Sequence, residues 1–154
     1  MKNLLSSAAL VSFVMLASSQ VMAKQDYTVH FKNASNQTKY VRQIGSQCMY
    51  GPKNGSAYTV PPQGDVSFGM TDSDNIFSLC TNGPKEISWA VEDDKGIRLG
   101  NLTFRHMKDG GTWYTKVVPS LGLSATITCN NGGCSTSGTP GMPGEPSPIV
   151  VTFK

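Results

Sequence analysis

Histidine, charge and long hydrophobic runs are all scarce in this sequence after residue 23. Only two histidines, His30 and His106, occur in the 154 residues, and charged residues make up 15% of them. A serine nucleophile needs a base beside it, and no Gly-x-Ser-x-Gly segment occurs, so the sequence argues against a serine hydrolase. A net charge of +3 without a basic stripe argues against a nucleic-acid groove. No run after residue 23 is long enough to cross a bilayer as a helix.

The N-terminal segment has the pattern of a secretory signal peptide. A short basic start, Met1-Lys2-Asn3, precedes the apolar stretch Leu4–Leu16, and Val21-Met22-Ala23 fits the small-x-small pattern of signal peptidase sites. We therefore predict that residues 1–23 are a signal peptide. Residues 24–154 are then one exported domain, located in the periplasm or secreted.

An even number of cysteines is typical of disulfide bonds in an exported chain, and four occur here: Cys48, Cys80, Cys129 and Cys134. Of the three possible pairings we favour Cys48–Cys80 with Cys129–Cys134, because only a short glycine-rich segment separates the second pair. The alternative is a zinc site built from the Cys-x4-Cys segment and the two histidines. Its spacing is loose and the predicted compartment is oxidising, so disulfides are the preferred interpretation.

Alternating apolar and polar residues indicate β-strands, and no helical period occurs after residue 23. In Tyr27–Phe31 and Ile87–Val91 every second residue is apolar, which predicts one buried face and places Trp89 in the core. About nine such short segments, separated by glycine- and proline-rich turns, predict an all-β fold, a single antiparallel β-sandwich.

Three irregular segments complete this prediction. The apolar segment Ile76–Cys80 is counted among the strands, and a bulge or bend is expected at Gly100-Asn101. Residues 130–148, rich in Gly, Ser and Pro, are predicted to form a long loop within the same domain.

Two acidic residues, Asp72 and Asp74, belong to the polar segment Thr71–Asn75. The preferred interpretation is a turn, in which aspartate caps backbone amides. Two alternatives are the paired carboxylates of a glycosidase, with Glu92–Asp94 as the other acidic cluster, and oxygen ligands for calcium. The segment lacks the later acidic ligand of an EF-hand loop. Both aspartates are retained as candidate binding residues.

Aromatic residues near glycine-rich loops are the other candidates. Tyr50 and Tyr58 flank a Gly- and Asn-containing loop, and Trp113 and Tyr114 follow a pair of glycines. Adjacent strand residues face opposite sides of a sheet, so one of Trp113 and Tyr114 is expected to point outward. An exposed aromatic ring can stack on a sugar or enter a membrane interface. The alternative is a cross-strand pair that covers the sheet.

The opening strand–turn–strand, Val29–Val41, and the later step Val60-Pro-Pro-x-Gly64 resemble the start of aegerolysin-type and other small secreted β-sandwich proteins. That resemblance implies a secreted β-sandwich, and some of those proteins bind membrane lipids. The likeness ends at Gly64 and does not include the pattern of cysteines, so it assigns no family.

These observations favour a non-catalytic exported binding protein. We expect it to recognise a cell-surface or envelope component, which is a glycan, a lipid headgroup or a protein, through exposed loop aromatics. The alternative is a periplasmic inhibitor or immunity protein that blocks a partner enzyme or toxin. An enzyme is the least favoured class, because the sequence contains no catalytic constellation. No cofactor, metal or nucleic-acid partner is predicted.

Overall fold

The computed structural model describes residues 25–52, 55–130, 132–134, 142–143 and 147–154. The predicted signal peptide lies outside the described residues, as does most of the predicted loop 130–148.

The described residues form twelve strands: β1 (Asp26–Asn33), β2 (Lys39–Gln47), β3 (Met49–Tyr50), β4 (Ala57–Val60), β5 (Asp65–Asp72), β6 (Lys85–Glu92), β7 (Arg98–Asp109), β8 (Thr112–Pro119), β9 (Ala125–Cys129), β10 (Gly132–Gly133), β11 (Met142–Pro143) and β12 (Ile149–Phe153). A short 3-10 helix, Ile76–Ser78, lies between β5 and β6. No helix in this part of the chain has the length and apolar character needed to cross a membrane.

The strands form two facing sheets, which confirms the predicted all-β sandwich. The order is β10-β9-β12-β1-β5-β3 in the first sheet and β11-β8-β7-β6-β2-β4 in the second. All neighbours are antiparallel except β1 and β12, which run parallel. These two strands lie at opposite ends of the described chain, so no tight hairpin connects them and requires antiparallel pairing.

The core lies between the sheets and follows the predicted alternation. Trp89 is 1% exposed, and its ring makes edge-to-face contact with Phe31 at a centroid distance of 5.6 Å. The predicted core position of Trp89 is confirmed. Strong burial of alternate residues is shared by β1, β6, β7 and β12, and the buried core includes Tyr27, Val29, Phe31, Ile87, Trp89, Val91, Leu102, Phe104, Ile149, Val151 and Phe153.

The expected irregularity near Gly100 is present. The pairing of β6 with β7 shifts register between Val91 and Glu92, which lie opposite Gly100 and Arg98. A Cβ atom at Gly100 would lie 2.6 Å from Ser120 Oγ, so only glycine fits there without a local shift.

Both predicted disulfides, Cys48–Cys80 and Cys129–Cys134, are present, with Cα–Cα distances of 5.3 Å and 5.1 Å. Because these four sulfurs are bonded in pairs, none is available as a zinc ligand.

The two ends of the sandwich differ. At one end β1, β6, β8 and β12 begin while β2, β5, β7 and β9 end. This end, which we call the loop end, carries the segments that follow β2, β5, β7 and β9, together with both disulfides. The opposite end carries short turns, including the one that contains Leu121.

Candidate binding site at the loop end

A buried lysine occupies the centre of the loop end. Lys85, the first residue of β6, is fully buried. Its Nζ donates hydrogen bonds to the carbonyl oxygens of Ser73 and Cys80, and lies 2.9 Å from Asp74 Oδ1. An ammonium group can be buried at tolerable cost only when it is paired and hydrogen-bonded, and all three of its protons have acceptors here. Lys85 therefore fixes both ends of the segment 73–80.

The rings of His106 and Trp113 lie beside this lysine on the inner face of the second sheet. Lys85 pairs with His106 across β6 and β7, and His106 pairs with Thr115 across β7 and β8. The His106 ring stacks on Trp113 with a centroid distance of 4.8 Å and an interplanar angle of 3°. Lys85 Nζ lies 5.6 Å from the centroid of the Trp113 ring, within the range of a cation–π interaction.

His106 is held in its neutral form. It is 1% exposed, and its Nδ1 lies 2.8 Å from Thr115 Oγ1. Burial lowers the pKa of His106 to about 4, and the nearby positive charge of Lys85 acts in the same direction. No substrate can reach this ring without opening the sandwich, so His106 supports the packing of the loop end.

The first sheet contributes another buried polar pair to the loop end, Asp72 and Tyr27. Asp72 accepts a hydrogen bond from the backbone N–H of Gln25 at 2.9 Å, and its other oxygen lies 3.4 Å from Tyr27 Oη. Burial raises the pKa of Asp72, although its hydrogen bonds and Lys85 oppose this shift. Burial also raises the pKa of Tyr27, so the phenol stays protonated. Its single proton is shared between Gln25 Oε1, 3.2 Å away, and the carboxylate.

The two candidate aspartates therefore have separate roles. Asp72 is the last residue of β5 and is 4% exposed, so its expected position in a polar turn is wrong. The strand can continue through Asp72 because the backbone N–H of Gln25 and the Tyr27 hydroxyl supply hydrogen-bond donors to the buried carboxylate. Asp74 does lie in the loop, where it pairs with Lys85. Among the described residues, no group of His, Cys, Asp and Glu side chains is arranged to hold a metal ion.

The four candidate aromatic residues are spread over the molecule. Tyr50 is 49% exposed and pairs with Thr71 near the loop end. Tyr58 is half-buried on β4 and stacks on Phe68 at 4.4 Å, and burial raises its pKa to about 12. Trp113 and Tyr114 lie on opposite faces of β8.

Strand alternation alone could not show which face of β8 is buried. Trp113 is buried among the residues around Lys85, so it is not an exposed loop aromatic, whereas Tyr114 is half-buried. Thus Asp74 and Trp113 lie together around Lys85, while Tyr58 lies apart from them. A binding role stays a prediction for all six candidate residues, Tyr50, Tyr58, Asp72, Asp74, Trp113 and Tyr114.

Among the described residues of the loop end, the most exposed apolar side chains lie in the segment expected to be a strand. Ile76–Ser78 forms the 3-10 helix instead, and Leu79 follows it. The side chains of Ile76, Phe77 and Leu79 are 65%, 93% and 83% exposed. We call these three side chains the apolar tip. The strand prediction for Ile76–Cys80 is therefore wrong, because this segment closes a tight turn and pairs with no neighbour.

The turn below the apolar tip is extensively hydrogen-bonded. Asn75 caps the 3-10 helix, its Oδ1 accepting from Phe77 N at 2.9 Å. The carbonyl oxygen of Asn75 accepts from the N–H groups of Ser78 and Cys80, and that of Ile76 accepts from Leu79 N. A Cβ at Gly83 would lie 2.7 Å from Leu79 O, so the returning chain passes close beneath the turn. Together with the Cys48–Cys80 disulfide, these contacts order the backbone that carries the apolar tip.

Sequence reasoning missed Lys85 and the apolar tip for different reasons. The alternation of Ile87, Trp89 and Val91, continued two residues towards the N-terminus, places Lys85 on the buried face, and this signal was available. The apolar tip had no such signal, because its hydrophobicity predicts burial.

The chain matches no family model, and no curated protein matches it significantly. The fold and the loop end therefore define a disulfide-bonded β-sandwich with an exposed apolar tip.

Proposed function

We propose that this chain is an exported, non-catalytic binding protein whose contact surface is the loop end. The observation that carries the proposal is the apolar tip. Single exposed apolar residues are ordinary on protein surfaces, but three large ones within four consecutive positions mark an interaction site.

The rigidity of the turn also supports this proposal. A segment ordered before binding loses less conformational entropy when it binds, so rigid anchors contribute more of their burial energy to affinity. The lysine at the base of the loop, its carbonyl acceptors and the Cys48–Cys80 disulfide supply that order.

Export accounts for the same features. Two disulfides are typical of an oxidising compartment such as the periplasm or the extracellular medium. The N-terminal sequence has the pattern of a secretory signal, and release of a chain that begins at Lys24 is the expected processing. The inhibitor or immunity alternative uses the same protruding loop against a single protein.

Co-sedimentation with a bacterial envelope fraction tests the proposal. The exported protein, Phe77→Ser and Leu121→Ser are compared at equal concentration. Leu121 is the matched control, because it is fully exposed and lies at the opposite end of the sandwich. We expect the wild type and Leu121→Ser to sediment with the envelope and Phe77→Ser to remain in solution. Equal sedimentation of all three proteins would contradict the assignment of the loop end as the contact surface.

A further inference from the structure

We propose that the apolar tip inserts into the interfacial region of a lipid bilayer, so that the loop end anchors the protein to a membrane surface. This inference rests on the proposed function, because it names the partner of the same surface. The alternative, an apolar pocket on a partner protein, is an outcome of the test below.

The first argument is the absence of charge along the segment that carries the apolar tip. From Asn75 to Pro84 the sequence contains no Asp, Glu, Lys, Arg or His. The charged residues that flank this run, Asp74 and Lys85, pair with each other at 2.9 Å below the tip. A segment that enters a bilayer interface must leave water without stranding a charge, and this segment meets that requirement.

The second argument concerns the backbone. Four consecutive N–H groups, those of residues 77 to 80, donate hydrogen bonds inside the turn, to Asn75 Oδ1, the Asn75 carbonyl and the Ile76 carbonyl. Backbone donors that enter lipid must be satisfied within the protein, because lipid tails offer no acceptors. At a protein interface the partner chain can supply the acceptors, so pairing of these donors within the turn is not required there.

The third argument is the conformation of Leu79. This residue has φ 59° and ψ 23° at the C-cap of the 3-10 helix, in the left-handed region that favours Gly or Asn. A leucine is disfavoured there by its backbone, and its side chain gains almost no burial because it is 83% exposed. The fold by itself would be served better by asparagine, so the leucine side chain fits a contact outside the chain.

Vesicle co-sedimentation tests this inference. The probes are vesicles of phosphatidylcholine alone and of phosphatidylcholine with phosphatidylglycerol. We expect the exported protein to bind both. Phe77→Ser should partition at least about tenfold less, since it loses the burial of one large apolar side chain. Leu79→Asn should also bind more weakly while keeping or raising the thermal midpoint, and Leu121→Ser should bind like the wild type.

A fluorescent reporter gives an independent readout. In Phe77→Trp the new indole is expected to shift its emission to the blue when vesicles are added, and to be quenched by lipids brominated near the headgroup end of the acyl chain. Leu121→Trp places the same reporter at the opposite end and should show neither effect.

Each remaining outcome counts against the inference. If both Phe77→Ser and Leu79→Asn partition into vesicles like the wild type, the inference is overturned. Binding only to vesicles that contain phosphatidylglycerol would also overturn it, because charge and not the apolar tip would then provide the attraction. If the wild type ignores all vesicles but still sediments with the envelope fraction in a Phe77-dependent manner, the lipid inference fails and the proposed function stands. If neither vesicles nor envelope bind, both fail.

Discussion

Replacement of Lys85 by methionine tests how the loop end is held. Methionine keeps the unbranched apolar stem, so the substitution removes the ammonium group with little change in packing volume. The carbonyl oxygens of Ser73 and Cys80 and the carboxylate of Asp74 then lose their donor. Because Lys85 is fully buried, water does not replace it without reorganisation of the loop.

The expected cost follows from these three contacts. A hydrogen bond to a charged group contributes about 1.5–3 kcal/mol. The ion pair adds little, because the Asp74 side chain is 21% exposed and water can solvate it once the lysine is gone. We expect Lys85→Met to lower the free energy of unfolding by about 3–5 kcal/mol, because two hydrogen bonds from a charged donor are lost. Asp74→Asn should cost only about 1–2 kcal/mol, because both carbonyl bonds remain.

Urea unfolding at neutral pH, followed by the fluorescence of the buried Trp89 and Trp113, measures these differences. Limited proteolysis with chymotrypsin adds a local readout, because its preferred residues Phe77 and Leu79 lie in the turn. Cleavage there should accelerate in Lys85→Met under conditions in which the rest of the protein stays folded.

One result would refute this reasoning: a Lys85→Met protein within about 1 kcal/mol of the wild type, with unchanged cleavage. It would mean that the desolvation cost of the ammonium cancels its bonds. The disulfide alone would then hold the loop.

Three further predictions concern the core, the disulfides and the buried histidine of the β-sandwich. Trp89→Ala should cost about 3–5 kcal/mol in urea unfolding, as truncation of a buried large aromatic does, and an unchanged midpoint would contradict its core position. Removing Cys48–Cys80 by double alanine substitution should cost about 4 kcal/mol, against about 2 kcal/mol for Cys129–Cys134, because the first closes a loop with a sequence separation of 32 and the second one of 5. Folding lowers the pKa of His106 from 6.5 to about 4, so the unfolded state binds more protons between these values and stability falls as pH decreases through that window. The wild type should lose about 2–3 kcal/mol more than His106→Gln between about pH 7 and about pH 4.5, and parallel pH profiles would contradict this; Asp72, whose raised pKa acts in the opposite direction, is common to both proteins.

The β-sandwich and its disulfides could be predicted because the sequence patterns that indicate them are local. The alternation of Ile87, Trp89 and Val91 identifies the buried face of β6 from three residues alone. The disulfide pairing followed from a short glycine-rich separation between Cys129 and Cys134. Neither inference needed to know how the two sheets pack.

The loop end could not be predicted in the same way, because its stabilising contacts are not local. Lys85 is buried only because the segment after β5 brings two carbonyl oxygens and a carboxylate to its ammonium group. The alternation of β6 places Lys85 on the buried face, but the ordinary expectation for lysine is exposure. Sequence alone does not show the acceptors that make its burial possible. Likewise, strand alternation separates Trp113 from Tyr114, but only the stacked His106 ring shows which of them is buried.

The distribution of stabilising contacts between the two ends of the sandwich bears on function. At the opposite end two side chains connect neighbouring turns. Asn33 Nδ2 contacts the carbonyl oxygens of Gln37, Val60 and Pro61 at 2.8–3.1 Å, and Gln63 Nε2 donates to the carbonyl oxygens of Ala34 and Ser35. The loop end has both disulfides and the buried Lys85.

Short turns need little cross-linking, whereas a longer segment without strand pairing stays ordered only if other bonds offset its conformational entropy. The segment between β5 and β6 has those bonds, yet the side chains that its hydrogen-bonded backbone carries outward are apolar and lie in water. A loop that served only to connect two strands would gain nothing from this arrangement, since exposed Ile, Phe and Leu contribute no burial to the fold. The rigid base and the exposed apolar side chains at the tip have a common explanation if a partner covers this segment. A loop that is already ordered by folding loses less conformational entropy when it binds, so more of the burial energy contributes to affinity.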